Sequence, residues 1–580
     1  MPSDVPALPD DLPPALKTPK GGHGQWGAGH TEPLTPQERF KKDDDGLNVR
    51  ARIEQIYSKQ GFASIDPTDL RGRMRWWGLY TQRKPGIDGG LTATLEPEEL
   101  DDEYFMMRIR IPGGQLSVEQ LRVCAQISTE LARDLADVSD RQNIQLHWVR
   151  IEDVPEIWRR LESVGLSTIE ACGDVPRNIL GCALAGVFEE ELADPSDLIR
   201  ELDRRFTNDK AFSNLPRKYK TAVSACPHHC TAHEINDIAF VGVLKDGVFG
   251  YDLWVGGGLS TNPMLGQRVG VFVPPERVPE VWAGVTSIFR DWGYRRTRMR
   301  ARIKFLMADW GPERFRAVLE RFYLENGPLE DGPAPATPKD GRRDHVGVHR
   351  QKDGRFAVGA ALPSGRTSGT ALMKLADLAE RLGGAHGGRI RFSAEQKVVV
   401  LDIEESDVET VVDELAALGM WARPSTFRRH TMACTGIEFC KLALTETKST
   451  AAVLVEELEQ RLPEFDDPLR IHINGCPNSC ARFQTADIGF KGMRVTTADG
   501  RKMDGFQVHL GGTLGIEAAL GRKVRGLKVS VEDLPGYVEG LIKRYESTRA
   551  DGQSFAQWAR TVDEDVLTEG ASDLAHAADD

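Results

Sequence analysis

The sequence has no apolar run close to the roughly 20 residues that a membrane-spanning helix needs, although 40% of its 580 residues are hydrophobic. Its first residues lack the basic start and apolar core of a secretory signal, so we expect a cytoplasmic protein with no membrane contact. The formal net charge is −13, which argues against a general nucleic-acid binder. These absences favour an enzyme or a protein-binding module over a membrane or nucleic-acid protein.

A disulfide framework is also not expected, because nine cysteines are an odd number in a large chain without a signal. Several cysteines lie in short-spaced groups, which points to metal or cluster ligation. The chain lacks a G-x-G-x-x-G turn between a strand and a helix, since GGGLS and GGTLG contain only glycine pairs. No nicotinamide or flavin module is therefore predicted.

The sequence does contain a long-range repeat. CPHHCTAHEINDIAFVG begins at Cys226, and CPNSCARFQTADIGFKG begins 250 positions later at Cys476. The segments that begin at Arg141 and Glu395 each read as an alternating strand followed by a helix with an aspartate N-cap. Such a period is too long for a solenoid, so it predicts two fused pseudo-twofold halves, joined by a linker near residues 325–345.

One predicted strand carries a row of polar residues in the first half only. The alternating residues would lie on one face of a regular strand; they are Arg141, Asn143, Gln145 and His147. The second half has two apolar residues at the corresponding positions, which are Glu395, Lys397, Val399 and Leu401. The row is either a solvent-exposed face or, as we favour, a face that binds an anionic ligand.

A pair of lysines is also specific to the first half. Lys218 and Lys220 alternate around Tyr219, whereas Pro468 and Arg470 occupy the corresponding positions of the second half. Two neighbouring ammonium groups repel each other unless they are well solvated or share an anion. Both interpretations remain open on these residues alone.

The cysteines differ between the halves as well. The second half has a C-x5-C and a C-x3-C pair, whereas the first has Cys226 and Cys230, with Cys182 opposite Cys434 and nothing opposite Cys440. This predicts a four-thiolate site in the second half and a decayed one in the first. Four thiolates could hold zinc or an iron–sulfur cluster, but these spacings fit poorly with the tight pairs of zinc knuckles.

Taken together, the C-x5-C and CPNSC pairs and the RQNIQ, GDVPRN and PRKYK segments resemble the ferredoxin-dependent sulfite and nitrite reductase family over roughly residues 50–565. The resemblance implies an α+β fold of duplicated halves, each a ferredoxin-like half-domain followed by a larger α/β module that binds sirohaem and a [4Fe–4S] cluster. The implied boundaries are an extended arm at 1–45, half-domains at 46–165 and 331–425, a first module without a cluster at 166–330, and a second module with the cluster at 426–570.

The resemblance also implies the cofactor ligands. The cluster would be bound by Cys434, Cys440, Cys476 and Cys480, and Cys480 would also be the axial ligand of the sirohaem iron. Sirohaem carries eight carboxylates, which need cationic and amide partners. The residues that match the family's sirohaem contacts are Arg141, Gln145, His147, Arg217 and Asn478.

The implied reaction is the six-electron reduction of sulfite to sulfide. The four basic residues that match the family's substrate site are Arg108, Arg177, Lys218 and Lys220. Arginines hold and orient an oxyanion, and lysines can also supply protons. Sulfite is favoured because nitrite-reducing members tend to replace the second lysine of Lys-x-Lys with Asn. The alternative is a nitrite reductase that forms ammonia.

The electron donor implied by the resemblance is a separate ferredoxin, and we expect the enzyme to act as a monomer. The basic run YRRTRMRARIKF is either a solvated helix face or a site for acidic groups of a cofactor or partner, and FKKDDDGLNVRARI is a second docking candidate. Tyr80 and Cys172 match a pair that forms a thioether crosslink in one branch of the family; otherwise they are a packing tyrosine and a buried thiol. The other candidate classes are a catalytically inactive iron–sulfur sensor and a structural zinc protein.

Overall fold

The computed structural model describes residues 5–6, 8–17, 34–337, 343–384, 387–497, 499–515 and 517–572. The strands of the first half are β1 (Leu79–Arg83), β2 (Asp101–Ile109), β3 (Gln115–Ser117), β4 (Ala136–Val138), β5 (Ile144–Val149), β6 (Thr221–Ser224), β7 (Ile238–Lys245), β8 (Val248–Val255), β9 (Gln267–Val273) and β10 (Glu330–Asp331). Those of the second half are β11 (Gly347–Arg350), β12 (Phe356–Ala361), β13 (Arg366–Thr367), β14 (Arg389–Phe392), β15 (Lys397–Ile403), β16 (Thr431–Ala433), β17 (Ile471–Asn474), β18 (Ile488–Thr496), β19 (Lys502–Leu510) and β20 (Arg522–Ser530).

The helices pack on the faces of the sheets that these strands form. The helices are α1 (Pro36–Asp43), α2 (Val49–Arg52), α3 (Ser58–Gln60), α4 (Pro67–Arg71), α5 (Pro97–Leu100), α6 (Val118–Leu131), α7 (Val154–Ser163), α8 (Ser196–Phe206), α9 (Val278–Trp292), α10 (Ile303–Phe322), α11 (Gly369–Leu382), α12 (Val408–Ala417), α13 (Thr426–His430), α14 (Lys448–Arg461), α15 (Leu534–Thr548), α16 (Phe555–Thr561) and α17 (Glu564–Thr568). Within the described part of the chain, every helix is too short or too polar to span a lipid bilayer.

The sheets confirm the predicted duplication. The two half-domains contain the orders β1-β2-β5-β4 and β11-β12-β15-β14, which correspond strand for strand. In the larger modules, β6-β7-β8-β9 corresponds strand for strand to β17-β18-β19-β20, while β10 is added beside β9 in the first module and β16 beside β17 in the second. In both modules the CPxxC strand, β6 or β17, runs parallel to the next strand, and the following pair is antiparallel.

The two half-domains exchange strands. The strand β3 of the first half pairs with β14 of the second, with Leu116 opposite Ile390. The strand β13 of the second half pairs with β4 of the first, with Arg366 opposite Asp137. Helices α6 and α11 pack together, and buried side chains from both half-domains form one hydrophobic core. The two half-domains are therefore one packed unit, while each larger module has a core of its own.

The predicted helices after the alternating strands are present as α7 and α12. Ile157 and Leu161 are buried in the shared core, as the helical spacing predicts. Asp153 and Asp407 precede the helices at the predicted positions, but their carboxylates cap no backbone N–H group. A 3₁₀ turn leads into each helix instead and continues its backbone direction.

The segment predicted as an extended arm, 1–45, contains the helix α1. The Thr35 hydroxyl caps this helix at the N–H of Glu38, and a proline occupies the first turn, where it costs no hydrogen bond. Glu38 and Lys41 are buried and ion-paired with each other, so tertiary contacts stabilise the helix. Residues 8–17 lie against α10, where Leu12 is buried in the first module's core. The rest of the predicted arm, 1–4, 7 and 18–33, lies outside the described residues.

Candidate active site

The CPxxC turns of the two halves have the same backbone conformation. His229 and Ser479, which occupy the same position of the repeat, both have positive φ, at 49° and 57°. Ala232 and Arg482 also correspond, with φ of 53° and 61°. Non-glycine residues rarely adopt this left-handed conformation, so its presence at both positions of both turns shows that the two turns share one geometry.

In the second half, this turn brings four cysteines together. Cys434 follows β16, where its N–H group bonds to the carbonyl of Ile473, and its sulfur accepts a hydrogen bond from the N–H of Gly475 at 3.3 Å. Burial and the neighbouring Cys480 sulfur raise the pKa of Cys434 to about 12. Burial and the Cys480 and Cys440 sulfurs raise the pKa of Cys476 in the same way. Buried thiols of this kind lose their protons when they bind a metal.

The spacing of these four sulfurs suits a cluster better than a single ion. Among the described residues, a group of three possible ligand atoms within 4.8 Å of one another occurs only in the first half. Ligands of one metal ion must crowd around it, whereas the four thiolates of a [4Fe–4S] cluster each bind a different iron. The second-half cysteines therefore fit the cluster that the sequence predicts.

Cys480 differs from the other three cysteines because its side chain is exposed. Its sulfur lies close enough to Arg108 and Lys218 to interact electrostatically with both cations. These two cations belong to the first half, so the site is formed where first-half bases face a second-half thiol. A ligand seated on Cys480 would meet these cations.

The two predicted substrate arginines are held by hydrogen bonds. Arg108, on β2, donates from Nη2 to Oε1 of Gln145 on β5 at 2.5 Å. Burial opposes the charge of Arg108, but Cys172 and Tyr80 raise its pKa, so the group stays cationic. Arg177 donates to the carbonyl oxygens of Ala171 and Gly173 at 2.9–3.2 Å. Both guanidinium groups are thus oriented before any ligand binds.

The lysine pair lies on one side of the chain, as the alternation predicts. Tyr219 between them is buried in the core of the first module and stacks on Phe289. Burial and the neighbouring Lys220 lower the pKa of Lys218 well below its ordinary value. Burial lowers the pKa of Lys220 to about 7, although Asp140 opposes this shift. Both lysines are half-buried, and their lowered pKa values favour a bound anion, which would stabilise the charged form of each, over a well-solvated surface pair.

The first residues of the predicted polar row, Arg141 and Asn143, lie before the strand and not in it. The strand β5 begins at Ile144, and Arg141 lies in a preceding turn that is closed by hydrogen bonds between Ser139 and Asn143. The reason is the positive φ of Gln142, 58°, which breaks the alternation. The buried guanidinium of Arg141 donates to Asn236 at 2.7 Å and to a backbone carbonyl, and burial lowers its pKa to about 9.

The remaining predicted sirohaem contacts are spread around the site. His147 is fully buried, with Nε2 3.1 Å from Asp137, and its ring stacks on Phe439 with a centroid distance of 4.0 Å. Arg217 lies 3.8 Å from Asp174, and burial lowers its pKa to about 10. The Asn478 backbone hydrogen-bonds to the Cys476 sulfur, which lowers the pKa of that thiol.

Several buried nitrogens of this group have no hydrogen-bond partner among the described residues. They are Nε of Arg108, Nε of Arg141 and Nδ1 of His147. The two arginine Nε groups are donors, and buried donors without partners are costly, so these two indicate a ligand with acceptor groups. Nδ1 of His147 is an acceptor, because Nε2 of the neutral ring donates to Asp137. The predominance of cationic donors around Cys480 fits the carboxylates of sirohaem.

Tyr80 and Cys172 lie close together at the edge of the same site. Burial raises the pKa of Tyr80, and Cys172 raises it further, while Arg177 and Arg108 lower it. Cys172 has no exposed surface. The two side chains predicted to form a crosslink are thus neighbours of the predicted substrate arginines.

The sequence reasoning missed several charged residues that complete the site. Arg302 forms a two-pronged ion pair with Asp237 at 2.7 and 2.8 Å, and Lys304 donates to three backbone carbonyls. Both come from the basic run, so the interpretation of that run as a solvated helix face is wrong for its second part. Arg482 pairs with Asp140 at 3.2 Å and connects the second-half CPxxC turn to the first half.

A comparison of the two repeated turns could have identified Arg482 from the sequence, because this arginine occupies the position of Ala232 in the first half. The fold also brings together the three cysteines that remain in the first half. Cys182, Cys226 and Cys230 are all buried, and their sulfurs lie within 4.8 Å of one another.

Comparison with known proteins agrees with this architecture. The family model of the nitrite and sulphite reductase 4Fe-4S domain matches residues 172–326 and 425–568, and that of the nitrite/sulfite reductase ferredoxin-like half domain matches residues 98–164 and 349–418. A sulfite reductase [ferredoxin] of Mycobacterium tuberculosis is 55% identical over 94% of this chain and 98% of its own length. An assimilatory ferredoxin-dependent nitrite reductase of Haloferax mediterranei is 35% identical over 92% of each chain.

A solved structure shows the same fold. The Mycobacterium tuberculosis NirA protein superposes with a TM-score of 0.90 at 54% identity, over 93% of this chain and 98% of that one. Both family models match each half of the chain once, in the order that the sheets show. The chain therefore belongs to the nitrite and sulfite reductase family.

Proposed function

We propose that this chain is a ferredoxin-dependent sulfite reductase, which reduces sulfite to sulfide with six electrons. The observation that carries the proposal is the position of Arg108 and Lys218 beside the exposed Cys480 sulfur. An iron-binding sensor needs the cysteines but no cations that face an open ligand position. The 55% identical relative named as a sulfite reductase supports the choice of sulfite, since the relative named as a nitrite reductase is 35% identical.

The cofactors of this reaction are a [4Fe–4S] cluster and sirohaem. The cluster would be held by Cys434, Cys440, Cys476 and Cys480, and Cys480 would also hold the sirohaem. The sirohaem contacts are Arg141, Gln145, His147, Arg217 and Asn478. When bound, the two groups supply a path for single electrons and an iron at which the substrate is reduced.

The chain's own residues hold the anion and deliver protons. Arg108 and Arg177 are fixed by hydrogen bonds, so they orient the sulfite oxygens without first reorganising. Lys220, with a pKa lowered to about 7, is suited to give up a proton at neutral pH. Lys218 lies beside it, and an anion between the two lysines favours the charged form of both. Loss of each sulfite oxygen as water requires such proton transfer.

The Tyr80–Cys172 crosslink is part of this proposal. The bond would join the Cys172 sulfur to a ring carbon of Tyr80, with loss of the S–H and one ring C–H hydrogen as two protons and two electrons, which an oxidant such as dioxygen accepts to form hydrogen peroxide. Their close approach in the site supports it. Peptide mass spectrometry tests it: a linked peptide lighter by two hydrogens is expected, and two separate, unmodified peptides would refute it.

Reduced ferredoxin is the proposed donor, and we place the enzyme in the cytoplasm as a monomer. Ferredoxins are acidic, so docking needs a local basic surface on an enzyme with a net charge of −13. Part of the run Tyr294–Phe305 is used internally, because Arg295 pairs with Glu38 and Arg298 pairs with Asp174. If charge steers docking, activity with ferredoxin should fall as ionic strength rises. Turnover that is independent of salt would contradict this part.

Steady-state kinetics with reduced ferredoxin test the function as a whole. The purified enzyme should be coloured, and its kcat/KM for sulfite should exceed that for nitrite. Lys220→Asn should shift this ratio toward nitrite, because Asn replaces the second lysine in nitrite-reducing members of the family. A colourless protein, or a higher kcat/KM for nitrite in the unchanged enzyme, would overturn the assignment.

A further inference from the structure

The cysteines of the first half form a second site that the reductase reaction does not use. The sulfurs of Cys182, Cys226 and Cys230 lie within 4.8 Å of one another, and each side chain is buried. Three thiols in one buried cluster have few ordinary structural roles, since cysteine usually packs singly as a small apolar residue.

A fourth possible ligand comes from the junction between the halves. Nε2 of His345 lies 3.4 Å from the Cys182 sulfur, and the His345 side chain is buried with the three cysteines. In a tetrahedral zinc site with Zn–S of about 2.3 Å and Zn–N of about 2.0 Å, a nitrogen and a sulfur ligand lie about 3.5 Å apart. The observed distance fits two ligands of one ion. His345 is not part of the group whose ligand atoms all lie within 4.8 Å of one another, so its ring would have to shift toward Cys226 and Cys230 to complete the set.

His345 is held at this position by its neighbours. Asp344 forms a two-pronged ion pair with Arg429 of the second module at 2.7 and 2.8 Å. Gly359 allows the next strand to pass close by, because a Cβ atom there would lie 1.6 Å from the His345 carbonyl oxygen. His345 also has a φ of 69°, a conformation that costs free energy and is maintained only where surrounding contacts impose it.

We propose that Cys182, Cys226, Cys230 and His345 bind one zinc ion. Three cysteines and one histidine are a common ligand set of structural zinc sites, and soft thiolates with an imidazole favour zinc over harder cations. The site does not depend on the proposed reductase activity. It occupies the place in the first half that the iron–sulfur cluster occupies in the second, with a histidine from the linker in place of Cys440.

The geometry disfavours an iron–sulfur cluster here. The three sulfurs are close enough to share a single ion, whereas cluster ligands bind separate iron atoms and lie farther apart. Apolar side chains surround the site, including Phe188 on the first module and Val399 and Leu401 on β15. This shell would keep water from the thiolates. A zinc ion here would thus connect the first module, the linker and the second half-domain.

Metal analysis of the intact holoenzyme tests the proposal. Protein from cells grown with zinc should contain about one zinc per chain in addition to iron, measured by inductively coupled plasma mass spectrometry. X-ray absorption at the zinc edge should show three sulfur neighbours and one nitrogen neighbour. An organomercurial should release zinc in proportion to the thiols that it modifies. Iron-only protein, or zinc with oxygen-rich ligation, would overturn the assignment.

Two variants and two controls localise the ion. Cys230→Ser and His345→Ala should each lose zinc, with an affinity loss at least as large as the ~10–100-fold effect of changing a second-shell partner. Cys124→Ala removes a buried thiol in the shared core and should keep zinc. Cys480→Ser should lose the sirohaem absorbance and also keep zinc. Zinc retained in both Cys230→Ser and His345→Ala would refute the site.

An unfolded ligand variant would also lose zinc, so the metal content and the X-ray absorption of the unchanged enzyme test the site independently of the variants. A disulfide is the remaining competitor for these sulfurs. Alkylation under denaturing conditions without reductant, followed by peptide mass spectrometry, distinguishes the two. All three cysteines should be alkylated once a chelator has removed the metal. A linked pair among Cys182, Cys226 and Cys230 would contradict zinc binding.

Discussion

The CPxxC turns of the two halves share a backbone but differ in what they can bind. In the second half, Cys476 and Cys480 belong to a spread set of four thiols, and Cys480 is exposed beside first-half cations. In the first half, Cys226 and Cys230 are buried and crowd against Cys182. Duplication thus preserved the turn, while the residues that meet each turn from elsewhere in the chain changed its chemistry.

The first way to break this comparison is Cys480→Ser, for which we expect the largest loss of activity. A hydroxyl is a poor substitute for the thiolate shared by the cluster and the sirohaem iron. Sulfite turnover should fall by more than the ~10²–10³-fold expected for loss of one charge-stabilising group. The visible spectrum and steady-state turnover are the measurements. Near-normal turnover would refute the bridging role, and Cys124→Ser is a matched control for loss of a buried thiol.

The second substitution, Lys220→Ala, tests whether the cation at this position matters in the first half but not in the second. Removing one stabilising cation and proton donor should lower kcat for sulfite by roughly 10²–10³-fold. Arg470→Ala is the matched control, because Arg470 occupies the corresponding position of the second half and should leave kcat nearly unchanged. Equal losses in both variants would mean that the lysine acts only through general structure.

The pH dependence of kcat/KM tests the protonation of Lys220 directly. The pKa of Lys220 is lowered to about 7, so the cationic form dominates below this value and is lost as the pH rises through it. We expect kcat/KM for sulfite to decline above about pH 7. Lys220→Arg should lower activity but move this alkaline decline to higher pH, because arginine stays protonated. An alkaline limb that is unchanged in Lys220→Arg would assign the titration to another group.

The smallest effects on activity are expected for contacts that join the half-domains, where the measured quantity is the apparent Tm. Asp137 is buried and lies against Arg366 of the exchanged strand, His147 and Lys448, so Asp137→Ala would remove the carboxylate that these three groups share. Breaking a buried pair typically costs about 3–5 kcal/mol, which should appear as a clear drop in the apparent Tm.

An exposed group of ion pairs between the same half-domains provides the matched control. Arg122 on α6 contacts Asp377 and Glu380 on α11 at the surface. Arg122→Ala should change the Tm little, because exposed ion pairs gain little over solvated charges. Equal Tm changes in Asp137→Ala and Arg122→Ala would contradict the importance of burial.

Much of the fold was predictable because local patterns set it. The repeat around Cys226 and Cys476 predicted the duplication. The alternation around Tyr219 predicted that Lys218 and Lys220 lie on one side of the chain. The turn at Gln142 was not predictable, because a polar residue with positive φ leaves no mark in an alternating pattern. The exchange of β3 and β13 was also missed, since these strands of three and two residues carry too little periodicity to assign a partner.

The sequence by itself determined the family, the duplication and the spacing of the four second-half cysteines. These features depend on motifs of neighbouring residues and on their repetition, which can be read along the chain. Only the tertiary structure decided which cations meet Cys480 and that His345 reaches the Cys182 sulfur. These side chains are far apart in sequence, and their approach depends on how the strand exchange and the module cores pack. No local pattern encodes that packing, and only the fold places His345 beside the first-half cysteines.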